Sequence, residues 1–145
     1  VRRALPVPAA AAFGLLTDLA GHHRWIPLTR TDAPPAPPRP GDLLTAVTAG
    51  VLPDRMVVTE VRAPAGDTAG VLRVRKEGPL LLGPVTIAVE PAGHDRCTVR
   101  WTEEVWLRGP LPRPLTRLLL APTLEAMTAV ALRWVARHLD ERRAG

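Results

Sequence analysis

The chain contains no tyrosine, one phenylalanine and four tryptophans in 145 residues. Any core must therefore be assembled from Val, Leu, Ala and Ile, and Phe13, Trp25, Trp101, Trp106 and Trp134 each stand out against that background. Cysteine is confined to Cys97, which excludes an internal disulfide and leaves stability to packing; a cytoplasmic address is the expectation. No uninterrupted apolar run approaches the roughly 18 to 20 residues of a spanning helix, and Val1-Arg2-Arg3-Ala4-Leu5-Pro6 lacks the apolar stretch of a secretory signal. Neither export nor stable membrane insertion is expected. Lysine is nearly missing as well: Lys76 stands alone among 19 basic residues, a skew that, with abundant Ala and Pro, points to a GC-rich coding bias. The formal charge of +5 is scattered, apart from Arg73/Arg75/Lys76 and Arg142-Arg143. Tracking a phosphate backbone needs a concentrated basic patch, so no nucleic-acid partner is expected. Also absent are a Gly-rich phosphate loop, a nucleophile elbow, a paired-carboxylate spacing and a zinc signature, so neither a cofactor nor a metal is expected.

What remains fits one soluble domain over residues 1–145, since 46% apolar composition fills a single core at this length. Residues 1–7 suit an extended strand. Pro8 is placed to open a helix, its missing N–H being unpaired there in any case, and the Ala-rich segment 9–19 continues it. Gly21 breaks that helix, and His22-His23-Arg24-Trp25-Ile26 adds one short turn before Pro27 forces an extended exit. Five prolines between Ala33 and Gly41 remove five donors, which makes this segment a stiff surface loop. Strand-like runs follow at 43–49, 55–62, 69–77, 81–90 and 96–107, joined by short Gly/Pro connections that make antiparallel neighbours. In the last of them Cys97, Val99, Trp101, Val105 and Leu107 share one face, which Glu103 interrupts with a carboxylate. Residues 114–142 carry the longest helical pattern, with Leu115, Leu118, Leu119, Ala126, Met127, Val130, Trp134 and Leu139 recurring at three and four. Pro122 predicts a kink or restart within it.

Strand, two short helices, antiparallel strands and a long helix together describe an α+β helix-grip fold, a curved antiparallel sheet wrapped around the terminal helix. Three segments carry a resemblance beyond that order. They are Val7-Pro8-Ala9 leading to Leu15-Leu16-Thr17-Asp18-Leu19 and Arg24-Trp25-Ile26-Pro27; Asp54-Arg55-Met56-Val57-Val58-Thr59-Glu60-Val61; and Thr98-Val99-Arg100-Trp101-Thr102-Glu103-Glu104-Val105. In these the chain resembles the SRPBCC superfamily, also called START-like or Bet v 1-like, and within it the bacterial polyketide cyclase/dehydratase-type single-domain members. The resemblance implies an internal cavity for a hydrophobic, polyketide- or lipid-like molecule. It transfers no catalytic motif by position, because one scaffold serves many functions.

On that fold the inward faces supply the cavity lining: Met56 and Val58, Leu72 and Val74, Val85 and Ile87, Val99 and Trp101, and Met127, Val130 and Trp134 from the helix. Trp101 and Trp134 are placed to meet across it. The family pattern also turns Glu60 inward. Glu103 is the sharpest catalytic candidate, since a carboxylate among apolar neighbours has a raised pKa and can transfer protons near neutrality. Glu60 is a second, and His23, beside His22 at the expected pocket mouth, is a third. The function these residues suit is binding of a hydrophobic small molecule, with cyclisation or dehydration by acid/base residues as its catalytic form. The alternative is a protein-interaction or co-chaperone-like module with a filled cavity.

Overall fold

The computed structural model describes residues 1–144, with side chains as far as 141. In chain order the elements are β1 (Arg2–Leu5), α1 (Ala9–Thr17), a 3-10 helix (Leu19–Arg24), β2 (Thr29–Asp32), β3 (Leu43–Thr48), β4 (Leu52–Arg62), β5 (Gly70–Pro79), β6 (Leu81–Pro91), β7 (Cys97–Glu103), β8 (Trp106–Leu107) and α2 (Arg113–Ala144). The strands form one antiparallel sheet in the order β1-β7-β6-β5-β4-β3-β2, with β8 added on β6. This is the helix-grip fold. Strand β2 is not announced by the sequence pattern, because the four residues Thr29-Arg30-Thr31-Asp32 carry no apolar alternation, and the single strand expected at 96–107 breaks after Glu103, with Trp106–Leu107 pairing on β6 as β8.

Two irregularities in the β4–β5 pairing shape the sheet. Val58 faces Val74 and Glu60 faces Arg73, which leaves Thr59 as an extra residue on β4. Arg55 faces Gly78 and Met56 faces Lys76, which leaves Glu77 extra on β5. Each bulge bends its strand and increases the local twist. The first also reverses the alternation: Asp54, Met56 and Val58 point inward, and after Thr59 the inward position passes to Val61, which packs against the core. Glu60 is thereby turned outward to Arg73, at 2.6 Å, which corrects its expected inward placement.

Helix α2 runs unbroken through Pro122, so no restart occurs there. Its C-terminal half is sealed to the sheet by Ala131, Leu132, Val135, Ala136 and Leu139. That set is offset by about one residue from the stripe read in the sequence, and Leu115, Leu118, Leu119 and Met127 are exposed. Trp134 is 51% exposed and lies on the surface. The reason is steric: small Ala131 and Ala136 beside Leu132 and Val135 let the helix approach the sheet, whereas an indole at the interface would hold it off. By length and composition Arg113–Glu141 is apolar enough to cross a membrane, with a mean hydropathy of 1.4 in its most apolar window. Scattered arginines divide its sequence into shorter apolar runs. Ala131, Leu132, Val135, Ala136 and Leu139 of its C-terminal half join the buried core, while most of its apolar N-terminal half stays exposed.

The N-terminal half of α2 stands off from the sheet. It is tied at its start by Thr116, fully buried, whose hydroxyl donates to the Arg113 carbonyl at 3.0 Å and accepts from the Leu107 N–H at 3.4 Å. Space is left between the sheet and Leu120, Thr123, Leu124 and Met127.

Candidate functional site

That space is a cavity of about 320 Å³, walled by Leu72, Val74, Val85, Ile87, Leu44 and Trp101 from the sheet and closed by the stand-off half of α2. Its mouth carries exposed apolar side chains from three separate segments, Leu52, Leu80 and Met127.

One wall is charged. Strands β4, β5 and β7 each contribute one inward residue near their ends, and these are Asp54, Lys76 and Glu103. Lys76 faces Met56 across the β4–β5 ladder, so Asp54, two residues along on the same face, falls beside it. The Lys76 ammonium donates to Asp54 Oδ2 at 2.5 Å and lies 4.0 Å from Glu103 Oε2. On the far side of Lys76 the next strand offers Gly83. Its φ is +127°, and a Cβ there would lie 2.4 Å from the Glu104 carbonyl and 2.8 Å from the Trp106 ring. Only glycine lets the chain after Glu103 cross so closely over β6. This crossing ends β7 at Glu103 and fixes the carboxylate at the cavity wall.

Glu103 Oε1 accepts from the Trp101 indole N–H at 3.1 Å. Three buried polar atoms lack any hydrogen-bond partner among the described residues: Asp54 Oδ1, Glu103 Oε2 and Thr31 Oγ1. All three residues line the cavity. Burial raises the Glu103 pKa above the ordinary carboxylate range, and the nearby Asp54 charge adds to this; the Lys76 charge and the Trp101 hydrogen bond oppose it. Asp54 is raised in the same way by burial, against the charge and hydrogen bond of Lys76. Burying charges is costly, and carboxyl groups with pKa values raised by burial beside a specific charge partner in a cleft are a mark of functional sites.

His22 also lines the cavity, stacked in a tilted contact 4.2 Å from Trp25. Burial lowers its pKa to about 4, against the opposing pull of the Leu16 carbonyl and Asp18. The ring is therefore neutral at physiological pH. Its Nε2 sits 2.8 Å from the Leu16 carbonyl, so Nε2 carries the proton and Nδ1 is an acceptor.

The residues expected from the sequence divide clearly. Met56, Leu72, Val74, Val85, Ile87, Trp101, Met127 and Glu103 line the cavity. Val58 and Val99 do not; they are sealed in the core beneath it. Val130 is half-buried outside the lining, and Trp134 is on the outer face of α2, so the two tryptophans do not meet. Glu60 is paired on the surface, and His23 is exposed with Nδ1 2.9 Å from the Ala20 carbonyl. Lys76, Asp54 and Thr31 were missed. For Lys76 a signal existed: the one lysine in an arginine-rich chain, dismissed as an accident of coding, is the basic residue placed in the cavity. Among the described residues no group of three or more His, Cys, Asp or Glu side chains is arranged to hold a metal ion.

A family model described as "Polyketide cyclase / dehydrase and lipid transport" matches residues 1–140. Among solved structures, a START superfamily protein from Mycobacterium smegmatis superposes with a TM-score of 0.68 at 19% identity, covering 96% of each chain. The Zhui aromatase/cyclase from a Streptomyces species gives 0.70 at 14% identity, over 98% of this chain and 92% of that one. Norcoclaurine synthase from Thalictrum flavum gives 0.60 at 16%, over 95% and 92%. At these identities the likeness shows the fold. No curated protein matches by sequence.

Proposed function

Because the chain belongs to the polyketide cyclase / dehydrase and lipid transport family, an SRPBCC fold built to bind ligands, we propose that it holds an apolar small molecule in the cavity and catalyses proton transfer on it. One observation carries this: two carboxylates and the chain's single lysine converge on one wall of an otherwise apolar space. Buried charges are costly to hold in an apolar space, and an acid–base catalyst requires them.

The reaction class is cyclisation or dehydration of a carbonyl compound. Glu103 Oε2, free of hydrogen-bond partners, removes a proton from the carbon beside the carbonyl. The Lys76 ammonium stabilises the negative charge that develops on the carbonyl oxygen. In a dehydration the electron pair then forms the carbon–carbon double bond and expels the β-hydroxyl. Glu103 returns its proton to that group, which leaves as water, and the carboxylate is restored. Asp54 holds Lys76 in place and charged. Buried Cys97, whose thiol burial pushes up to about 11, suits a reducing cytoplasm and takes no part.

An interaction module would have its cavity filled, and an open volume of about 320 Å³ favours a ligand. The test is binding of the neutral fluorophore N-phenyl-naphthylamine, with native mass spectrometry for a co-purified molecule. Ala46→Trp fills the cavity and is expected to abolish fluorophore binding while far-UV circular dichroism stays unchanged. With an identified substrate, Glu103→Gln is expected to lower kcat by at least about a hundredfold; unchanged turnover removes Glu103 from the mechanism.

A further inference from the structure

The charged wall carries two carboxylates against one ammonium. Asp54 Oδ1, Glu103 Oε2 and the Thr31 hydroxyl lack hydrogen-bond partners among the described residues, and the neutral ring of His22 offers the cavity an acceptor at Nδ1. Against them stands Lys76, which gives one of its three N–H groups to Asp54 Oδ2. Asp54 is 8% exposed, and its unpaired oxygen belongs to a residue of the cavity lining. Formally, two carboxylates share one ammonium, and no second cation is paired with either of them among the described residues.

Resting on the reading of this cavity as a ligand site, we infer that the wall selects ligands whose head group donates hydrogen bonds, an amine or a hydroxyl, and turns away carboxylates and phosphates. A donor head gives a hydrogen bond to Glu103 Oε2 or Asp54 Oδ1, which removes part of the penalty of leaving them unpaired. An ammonium additionally supplies the missing positive charge, alternating with Lys76 around the two carboxylates. A hydroxyl supplies one hydrogen bond without charge. An anionic head meets carboxylates of its own sign in a space too apolar to screen them. Its attractive partner, Lys76, is shared with Asp54 at 2.5 Å, so the anion competes with a carboxylate already in place. The apolar body of the ligand lies against Leu72, Val74, Val85 and Ile87. Fatty acids and acyl phosphates are therefore poor ligands, although the cavity would accept their chains.

The test is calorimetric titration of the full chain with three probes that share one body: naphthalenemethanol, naphthylmethylamine and naphthoate. The alcohol and the amine are expected to bind at least about tenfold more tightly than naphthoate, the equivalent of one charge-assisted hydrogen bond. Glu103→Gln is expected to narrow that ratio to under about threefold. The amine ahead of the alcohol identifies both carboxyls as ionised, and the reverse order identifies one as protonated; either supports the inference. If all three bind alike, or naphthoate binds best, the inference falls while the ligand site stands. If none binds to protein whose circular dichroism shows it folded, the ligand site falls and the inference with it.

Discussion

Replacing Lys76 by methionine keeps the apolar stem and removes the ammonium, leaving Asp54 and Glu103 on one buried wall without a counter-charge. Both members of the Lys76–Asp54 pair are 11% exposed at the side chain, and Glu103 is 14% exposed, so solvent screening is weak. Removing one partner of a buried ion pair costs about 3–5 kcal/mol; because the cavity opens to water at its mouth, we place the loss at about 3 kcal/mol at pH 8. Lys76 is the group that holds both carboxyl pKa values down against burial. Without it they rise further above those of the unfolded chain. The folded variant then binds more protons than the unfolded one from the ordinary carboxylate range upward, so its stability falls as pH rises through that window and recovers as pH falls. The assay is urea denaturation of wild type and Lys76→Met at pH 8 and pH 5. The expected deficit shrinks from about 3 kcal/mol to about 1 kcal/mol on acidification, and adding Asp54→Asn to the variant restores part of the loss at pH 8. A deficit that is equal at both pH values, and untouched by Asp54→Asn, would falsify the electrostatic account and reduce Lys76 to a packing stem.

His22 titrates in the opposite sense. Its pKa is lowered to about 4 by burial, so the unfolded chain binds the extra proton below its ordinary value near 6.5, and stability is lost as pH falls from there toward 4. His22→Gln, which retains a donor for the Leu16 carbonyl, is expected to lose less stability than wild type between pH 7 and pH 4.5, by about 2 kcal/mol in urea titrations. On α2, Leu132→Ala removes a side chain with no exposure and is expected to cost about 3 kcal/mol. Trp134→Ala, on the same helix but 51% exposed, is expected to change stability by under about 0.5 kcal/mol in the same denaturation experiment. Comparable losses for the two would contradict the helix orientation described above.

Several features were legible because they are written locally. The alternation from Cys97 to Glu103 placed Val99 and Trp101 inward and set Glu103 on the same face. Gly and Pro between runs marked the turns, and the order of elements specified the helix-grip fold. The errors have definite origins. A bulge at Thr59 cannot be seen in an alternating run, so Glu60 was assigned to the wrong face. The helix stripe ran through Leu115, Leu118, Leu119, Ala126, Met127, Val130, Trp134 and Leu139, and of these Leu139 alone joins the buried core. Packing instead selected Ala131, Leu132, Val135 and Ala136, whose smaller mean size allows close contact. His22 and His23 were indistinguishable in sequence, and only the fold turned one inward to the cavity and the other to solvent.

The sequence alone determined most of the secondary elements, their succession and the family, since hydrophobic period and turn chemistry act over a few neighbouring residues. The site belongs to tertiary structure. Asp54, Lys76 and Glu103 sit on three strands, are separated by long stretches of chain, and form no motif. They meet because the β4–β5 register sets Asp54 beside Lys76, because Gly83 lets the chain cross over β6 at Glu103, and because α2 seals one half of the sheet and stands away from the other. Strand register, a close backbone crossing and a helix-to-sheet gap depend on residues far apart in the chain, which is why local pattern carries no record of them.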